Sequence, residues 1–171
     1  MTFFSTQFFI ALAASFVASG AFAVIFKTNK RHLLKVCIAG LLTYFIYYTL
    51  QYFTGSLFLA AFISTAFTSL YGEVFARISR APAIIFIVAG IIPTVPGGDS
   101  YYAIKYLITG ELTRGLEKLF DTGAIAIGIA SGIVCVSIVF GIFNDRVAEI
   151  KKRKLKKPKK DTPANNDHQN T

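Results

Sequence analysis

Long apolar segments separated by short charged connections are the feature that most constrains this fold. Residues 3–26 form a run of 24 residues with no charged side chain, about 36 Å long as a helix. A helix needs roughly 20 residues to cross the hydrocarbon core of a bilayer. Further apolar segments follow at 33–53, 56–76, 83–108 and 122–143. We therefore predict an all-α integral membrane protein with five transmembrane helices.

The composition agrees with a membrane protein. Hydrophobic residues make up 54% of the 171 residues, and the mean hydropathy of +0.55 is too high for an ordinary soluble domain. The net charge of +9 raises the question of a nucleic-acid partner. However, the basic residues gather at segment ends and in the tail instead of forming one patch, so we expect no nucleic-acid binding.

The fourth apolar segment contains a break. Two prolines and two adjacent glycines lie between Pro93 and Gly98. Proline removes a helical hydrogen bond and glycine frees the backbone, so the fourth helix is predicted to be discontinuous around Pro93–Gly98. The flanking stretches, 83–92 and 100–108, would form half-helices of about 15 Å and 14 Å. Two such halves meeting near the midplane account for one crossing.

The break is the predicted binding site, because bare peptide groups at membrane depth survive only when they are packed in protein or line a cavity. The first half-helix ends in free carbonyl groups and the second begins with free N–H groups. Secondary transporters use this arrangement, and a zwitterionic amino acid would satisfy both ends. The predicted substrate- or ion-binding residues are Pro93, Thr94, Pro96, Gly97, Gly98, Asp99, Ser100 and Tyr101, with Tyr102 as a further wall.

Asp99 has two interpretations. A carboxyl group inside a membrane segment is costly and indicates function, here as a partner for a proton or an ammonium group. Alternatively, Asp99 caps the second half-helix by accepting hydrogen bonds from its N–H groups, which does not exclude titration. The sequence indicates neither a bound metal nor an organic cofactor.

The distribution of Lys and Arg predicts the orientation. Four basic residues lie in 27–35, two in 77–80 and nine in 146–160, so 15 of the 18 fall on one side of a five-helix arrangement. The positive-inside rule then places the N-terminus outside and the C-terminus in the cytoplasm. A cleaved signal peptide ending near Ala23 is the alternative for the first helix, but no basic residue precedes its apolar run.

Two polar stretches complete the predicted organisation. Residues 110–121 are expected to form a charged outer connection with a short amphipathic helix at the membrane interface. The predicted domains are a transmembrane helical domain, 1–143, and a basic, disordered cytoplasmic tail, 144–171. Small residues four apart on the third and fifth segments predict close helix contacts.

The order of these features resembles a known family. Phe22-Ala23-Val24-Ile25-Phe26, a basic loop, the segment 83–93, Val95-Pro96-Gly97 and a tyrosine-rich turn are similar to the small subunit of the threonine/serine exporter family. The resemblance covers about residues 3–143. It implies a five-helix half-transporter of the bacterial inner membrane that exports small polar solutes with a larger membrane subunit. Only Pro93, Pro96 and Gly97 are carried over from the resemblance; Asp99 is not.

The alternatives are a dicarboxylate exporter, a non-transporting assembly subunit, a homo-oligomer and an enzyme. Similar family members are associated with dicarboxylate export, and a non-transporting assembly subunit or a homo-oligomer is compatible with the small-residue stripes. An enzyme is not expected. Gly97-Gly98-Asp99 is similar to a motif of intramembrane aspartyl proteases, but these need a second acid, and Asp121 lies at a helix edge. His32 and His168 lie away from the break.

Overall fold

The regular structure is helical throughout the part of the chain that the structure describes. This computed structural model describes the backbone of residues 6–156 and the side chains of residues 6–143 and Arg146. The elements are α1 (Thr6–Ile25), α2 (Lys30–Thr54), α3 (Leu57–Ser79), α4 (Ala83–Ile91), a 3-10 turn (Ile92–Thr94), α5 (Gly97–Ile108) and α6 (Leu112–Lys156). The predicted all-α class is confirmed.

Among the described residues, four helical segments are long and apolar enough to cross a membrane. They are Thr6–Ile25, Lys30–Thr54, Leu57–Ser79 and the Leu112–Phe143 part of α6. The pair Ala83–Thr94 and Gly97–Ile108 also qualifies when taken together, and it is bent by 48° at its break. Counting this pair as one span gives five, and that count stays a prediction.

A tight turn makes α2 and α3 neighbours. Gly55 ends α2 with a φ of 66°, a left-handed conformation that costs glycine little because it has no Cβ. Ser56 then caps α3, since its Oγ accepts a hydrogen bond from the N–H of Leu59 at 3.4 Å. The Oγ1 atoms of Thr43 and Thr68 are hydrogen-bonded between the two helices.

Small residues allow the helices to approach closely, as their spacing predicts. The predicted stripe on α3 is buried along its length: Ala60, Ser64, Thr68 and Gly72. On α6, Gly132 lies so close to α3 that a Cβ there would be 2.6 Å from the carbonyl oxygen of Phe62. Any larger side chain would therefore push the two backbones apart.

α4 is packed against α1, α2 and α3. Its Phe86 and Ala89 are fully buried and belong to a core cluster with Ala23, Val36 and Ala76. Because α4 is surrounded on several sides, the break at its end lies against the helical bundle. The 3-10 turn itself contacts α1 and α2.

Two expected boundaries differ from the structure. The stretch 110–121 is not a separate interfacial helix, because α6 begins at Leu112 and runs on without interruption. No proline interrupts it, and its glycines are tolerated within the helix. The helix also continues past Phe143 to Lys156, since Glu, Lys, Arg and Leu are good helix formers.

The chain divides into two units, residues 1–138 and 139–171. The first contains the break, and the described part of the second is helical. Of the predicted tail, 144–171, residues 144–156 continue α6, and residues 157–171 fall outside the described residues. The division into a membrane domain and a disordered tail stays a prediction.

Candidate functional site

The break between α4 and α5 is a short structured turn. Thr94 is buried, and its Oγ1 donates a hydrogen bond to the carbonyl oxygen of Ile91 at 2.7 Å. The N–H of Val95 donates to the carbonyl oxygen of Ile92 at 3.2 Å. Two carbonyl groups at the end of α4 therefore have partners within the protein, whereas the sequence suggested that they would be free for a ligand.

A cavity of about 270 Å³ lies at the break. This volume suits a small solute, because pockets for drug-sized ligands begin at about 300 Å³. The cavity is lined by Tyr47, Pro93, Thr94, Val95, Pro96, Gly98, Asp99, Tyr102 and Ile125. Residues from α2, from the break and α5, and from α6 thus meet at one place.

Five of the eight predicted site residues line this cavity: Pro93, Thr94, Pro96, Gly98 and Asp99. Gly97 and Ser100 lie in the same helical turn but are not among the lining residues, and the Oγ of Ser100 donates to the carbonyl oxygen of Pro96 at 2.7 Å. Tyr101 borders a different depression, with Lys105 and Ile108. Of the two adjacent tyrosines on α5, Tyr102 lines the cavity and Tyr101 does not, because adjacent helical residues point about 100° apart.

Asp99 is held by an ion pair. The Nζ of Lys118, on α6, donates to Oδ1 of Asp99 at 2.9 Å and to Oδ2 of Asp121 at 3.3 Å. Asp99 lies in the first turn of α5, while the N-cap position is Pro96 and has no side-chain cap bond. The carboxylate therefore pairs with a lysine. The alternative interpretation of the sequence, in which Asp99 caps α5, does not agree with the structure.

The first turn of α5 is open. Nothing lies within 4 Å of the positions that a Cβ would occupy on Gly97 or Gly98. In this turn the N–H of Gly97 donates to the carbonyl oxygen of Val95 at 2.8 Å, and the N–H of Ser100 donates to that of Pro96 at 3.0 Å. The N–H groups of Gly98 and Asp99 lie between them, where a helix provides no internal acceptor and the backbone carries partial positive charge. A ligand can therefore approach the backbone of α5 closely on the side of Gly98, which lines the cavity.

The structure brings a second acid, Asp121, towards Asp99. The Lys118 ammonium lies between the two carboxylates and donates to both. In an aspartyl protease, by contrast, the two acids share a proton directly. This arrangement differs from a catalytic acid pair. Within the described residues, no group of three or more His, Cys, Asp and Glu side chains is placed to hold a metal ion.

Along α2 and the apolar part of α6, the cavity lies nearer to the middle of each helix than to its ends. Tyr47 is seven residues before Thr54, the last residue of α2, which corresponds to about 10 Å along the axis. The whole of α2 has 25 residues and extends about 37 Å. Tyr47 is therefore five residues, or about 7 Å, from the middle of α2, and Ile125 is within three residues of the middle of the Leu112–Phe143 segment. The two halves of the bent pair, Ala83–Thr94 and Gly97–Ile108, have equal lengths. This position agrees with a break at mid-depth, and its place at the membrane midplane stays a prediction.

Four residues of the site were missed by the sequence analysis: Tyr47, Val95, Ile125 and Lys118. Tyr47 stands in a run of aromatic residues at the end of α2 that suggested an interfacial belt. Lys118 was assigned to the outer connection. The spacing of Lys118 and Asp121 by three residues was a signal for their pairing on a helix, but nothing in the sequence linked Lys118 to Asp99.

Comparison with known proteins identifies the family. The sequence model described as "Threonine/Serine exporter, ThrE" matches residues 11–139, three quarters of the chain, including the break and every residue lining the cavity. No curated protein and no solved structure matches the chain. The match agrees with the apolar helices, which indicate a multi-pass membrane protein. The chain therefore belongs to the threonine/serine exporter family.

Proposed function

We propose that this chain is the small subunit of an exporter that moves amino acids such as threonine and serine through the cavity at the break. The observation that carries the proposal is the position of Asp99, the single charged residue among the nine described residues that line this cavity. A carboxylate facing a small cavity favours a ligand with an ammonium group. The family match supports the same class of substrate.

The rest of the cavity suits the remaining parts of an amino acid. The N–H groups of Gly98 and Asp99, between the hydrogen-bonded N–H groups of Gly97 and Ser100, can donate to a carboxylate, because a helix N-terminus favours negative charge. The buried hydroxyl of Thr94 already donates to a carbonyl group, but its lone pairs can still accept a hydrogen bond from a ligand hydroxyl. The apolar wall, which includes Val95 and Ile125, would pack against the ligand's carbon atoms.

The assembly is also part of the proposal. A larger membrane subunit of the same family is the proposed partner, and a homo-oligomer is the alternative. The proposed location is the bacterial cytoplasmic membrane, with the N-terminus outside and the C-terminus in the cytoplasm, because most Lys and Arg residues fall on one side. Proton coupling through Asp99 is a further part of the hypothesis, since an intramembrane carboxyl group is a common proton carrier.

Efflux from whole cells tests the proposal. Cells that make the chain, with and without its partner, are loaded with labelled L-threonine, L-serine or succinate, and the rate of release is measured. We expect faster release of the two amino acids when both subunits are present. Asp99→Asn should reduce this release to background and abolish its dependence on a proton gradient. Glu111→Gln, which removes an exposed acid from the α5–α6 connection, is the control and should transport normally.

The other results identify the alternatives. Release of succinate without release of threonine or serine would support a dicarboxylate exporter. Partner-dependent release that is unchanged when the cavity is altered would indicate an assembly subunit. Normal transport by Asp99→Asn, with the protein present in the membrane at the usual amount, would end the proposed role of Asp99.

A further inference from the structure

Lys118 has no role in the function proposed above, yet it forms an ion pair with Asp99, the residue proposed to bind the ligand. Its ammonium group lies 2.9 Å from the Asp99 carboxylate and 3.3 Å from that of Asp121. Asp99 belongs to α5, whereas Lys118 and Asp121 belong to α6, so the pair connects the two helices beside the cavity. A cationic ligand that binds Asp99 must therefore compete with Lys118.

The surroundings of the Asp99–Lys118 ion pair allow a ligand to separate the two side chains. The side chains of Asp99 and Lys118 are 34% and 39% exposed. Asp99 lines the cavity, so a solute there can reach its carboxylate, and Lys118 adjoins the cavity through its contact with Asp99. Asp121 remains as a second partner on the same helix, three residues from Lys118. Lys118 therefore keeps one ionic contact when it releases Asp99, and it is held near the cavity instead of moving freely.

Exchange of this pair favours one class of ligand. The ammonium group of a zwitterion can replace Lys118 at Asp99, and its carboxylate can then take the place of Asp99 at Lys118, so all charges remain paired. A ligand that has an ammonium group but no carboxylate would take Asp99 from Lys118 and leave the lysine with Asp121 as its remaining carboxylate partner. A dicarboxylate provides no group for Asp99, and its charge would be repelled by that carboxylate.

We propose that Lys118 binds the carboxylate of the transported solute, and that exchange of the Asp99–Lys118 pair selects zwitterionic amino acids over amines and dicarboxylates. This inference rests on the proposed function, because it assigns a further residue and a basis for selectivity to the same cavity. The open Gly98 side of α5 offers the ligand carboxylate additional N–H donors next to Asp99.

Truncated ligands test the two halves of the exchange separately. Binding of labelled L-threonine to the purified full-length chain, alone and with its co-purifying partner, is measured in competition with L-threoninol, N-acetyl-L-threonine and succinate. L-threoninol has no carboxylate and N-acetyl-L-threonine has no ammonium group. We expect the wild type to bind L-threonine more tightly than the three competitors.

The variants have different expected effects. Lys118→Gln should weaken L-threonine binding by about 10- to 100-fold, the range for one lost charged hydrogen bond, and should leave L-threoninol binding unchanged or stronger. Lys118→Arg should restore most of the affinity. Asp99→Asn should weaken L-threonine binding and spare N-acetyl-L-threonine. Arg114→Gln removes the cation of a separate ion pair on the same helix and should bind every ligand as the wild type does.

The outcomes separate this inference from the proposed function. If Lys118→Gln weakens L-threonine and L-threoninol equally, Lys118 only positions Asp99 and the inference is wrong. Unchanged L-threonine affinity in Lys118→Gln also overturns it. Retained L-threoninol binding shows that the variant is folded. A wild-type chain that binds none of the amino-acid ligands, alone or with its partner, contradicts the proposed function itself.

Discussion

Neighbouring residues at the break have different surroundings. Gly98 lines the cavity and Gly97 does not, although both begin α5 and both have open space where a Cβ would lie. Neither has a positive φ, because the glycines with that conformation are Gly55 and Gly110 among the described residues. The two positions are therefore alike in backbone conformation and differ in their relation to the cavity.

This difference leads to a prediction for alanine at each position. Gly98→Ala should lower L-threonine efflux about tenfold or more, because a methyl group there displaces a ligand that must approach the backbone closely. Gly97→Ala should stay within about twofold of the wild type. Both variants should fold at least as stably as the wild type, since alanine restricts the unfolded chain. Equal efflux by the two variants, measured at equal protein amounts, would contradict ligand binding on the Gly98 side.

At the scale of the helices, the contact between α3 and α6 depends on a glycine, because only a residue without a side chain fits at position 132. A Cβ on Gly132 would lie 2.6 Å from the carbonyl oxygen of Phe62 and 3.0 Å from the backbone nitrogen of Ala66. Backbone atoms cannot rotate away as the end of a flexible side chain can. The position of α6, and with it Ile125 at the cavity, therefore depends on this close packing.

Alanine substitutions on α6 test this dependence. Gly132→Ala should lower the thermal unfolding midpoint in detergent by several degrees, because overpacking typically costs about 1–3 kcal/mol. Gly123→Ala is the matched control on the same helix, where nothing lies within 4 Å of an added Cβ. It should be neutral or stabilising by up to about 1 kcal/mol through helix propensity. A Gly132→Ala midpoint equal to that of Gly123→Ala would be inconsistent with the observed contact.

For the whole molecule, the bent pair decides the topology. If Ala83–Thr94 and Gly97–Ile108 cross the membrane as one span, the chain has five crossings and its termini lie on opposite sides. If the pair enters and leaves on the same side, there are four crossings and the termini share a side. The basic residues of 146–160 favour the first arrangement, because they would otherwise share the outer side with the N-terminus.

Reporter fusions distinguish the two topologies. A periplasmic phosphatase inserted at Glu111, between α5 and α6, should be active, and a fluorescent protein fused after Thr171 should fluoresce. The same phosphatase inserted at Ala81, between α3 and α4, is the control and should be inactive. If the Glu111 and Ala81 fusions gave the same result, the bent pair would be a re-entrant loop.

Much of this architecture was predictable because it depends on local chemistry. The length of each apolar run fixes a membrane helix, and the prolines and glycines of residues 93–98 prevent a regular helix at that place. The small residues on α3 likewise indicated a packed face before its burial was seen. The interfacial helix expected at residues 110–121 was a local error, since charge alone does not end a helix.

By itself, the sequence determined the all-helical membrane class, the break and the family resemblance, because each depends on residues close together in the chain. The tertiary structure decided which residues share the cavity. It brought Tyr47 and Ile125 to the cavity at the break, placed Tyr102 at this cavity and Tyr101 at a different depression, and joined Asp99 to Lys118 from another helix. These relations depend on the rotation and depth of packed helices, which are set by contacts between residues far apart in the sequence.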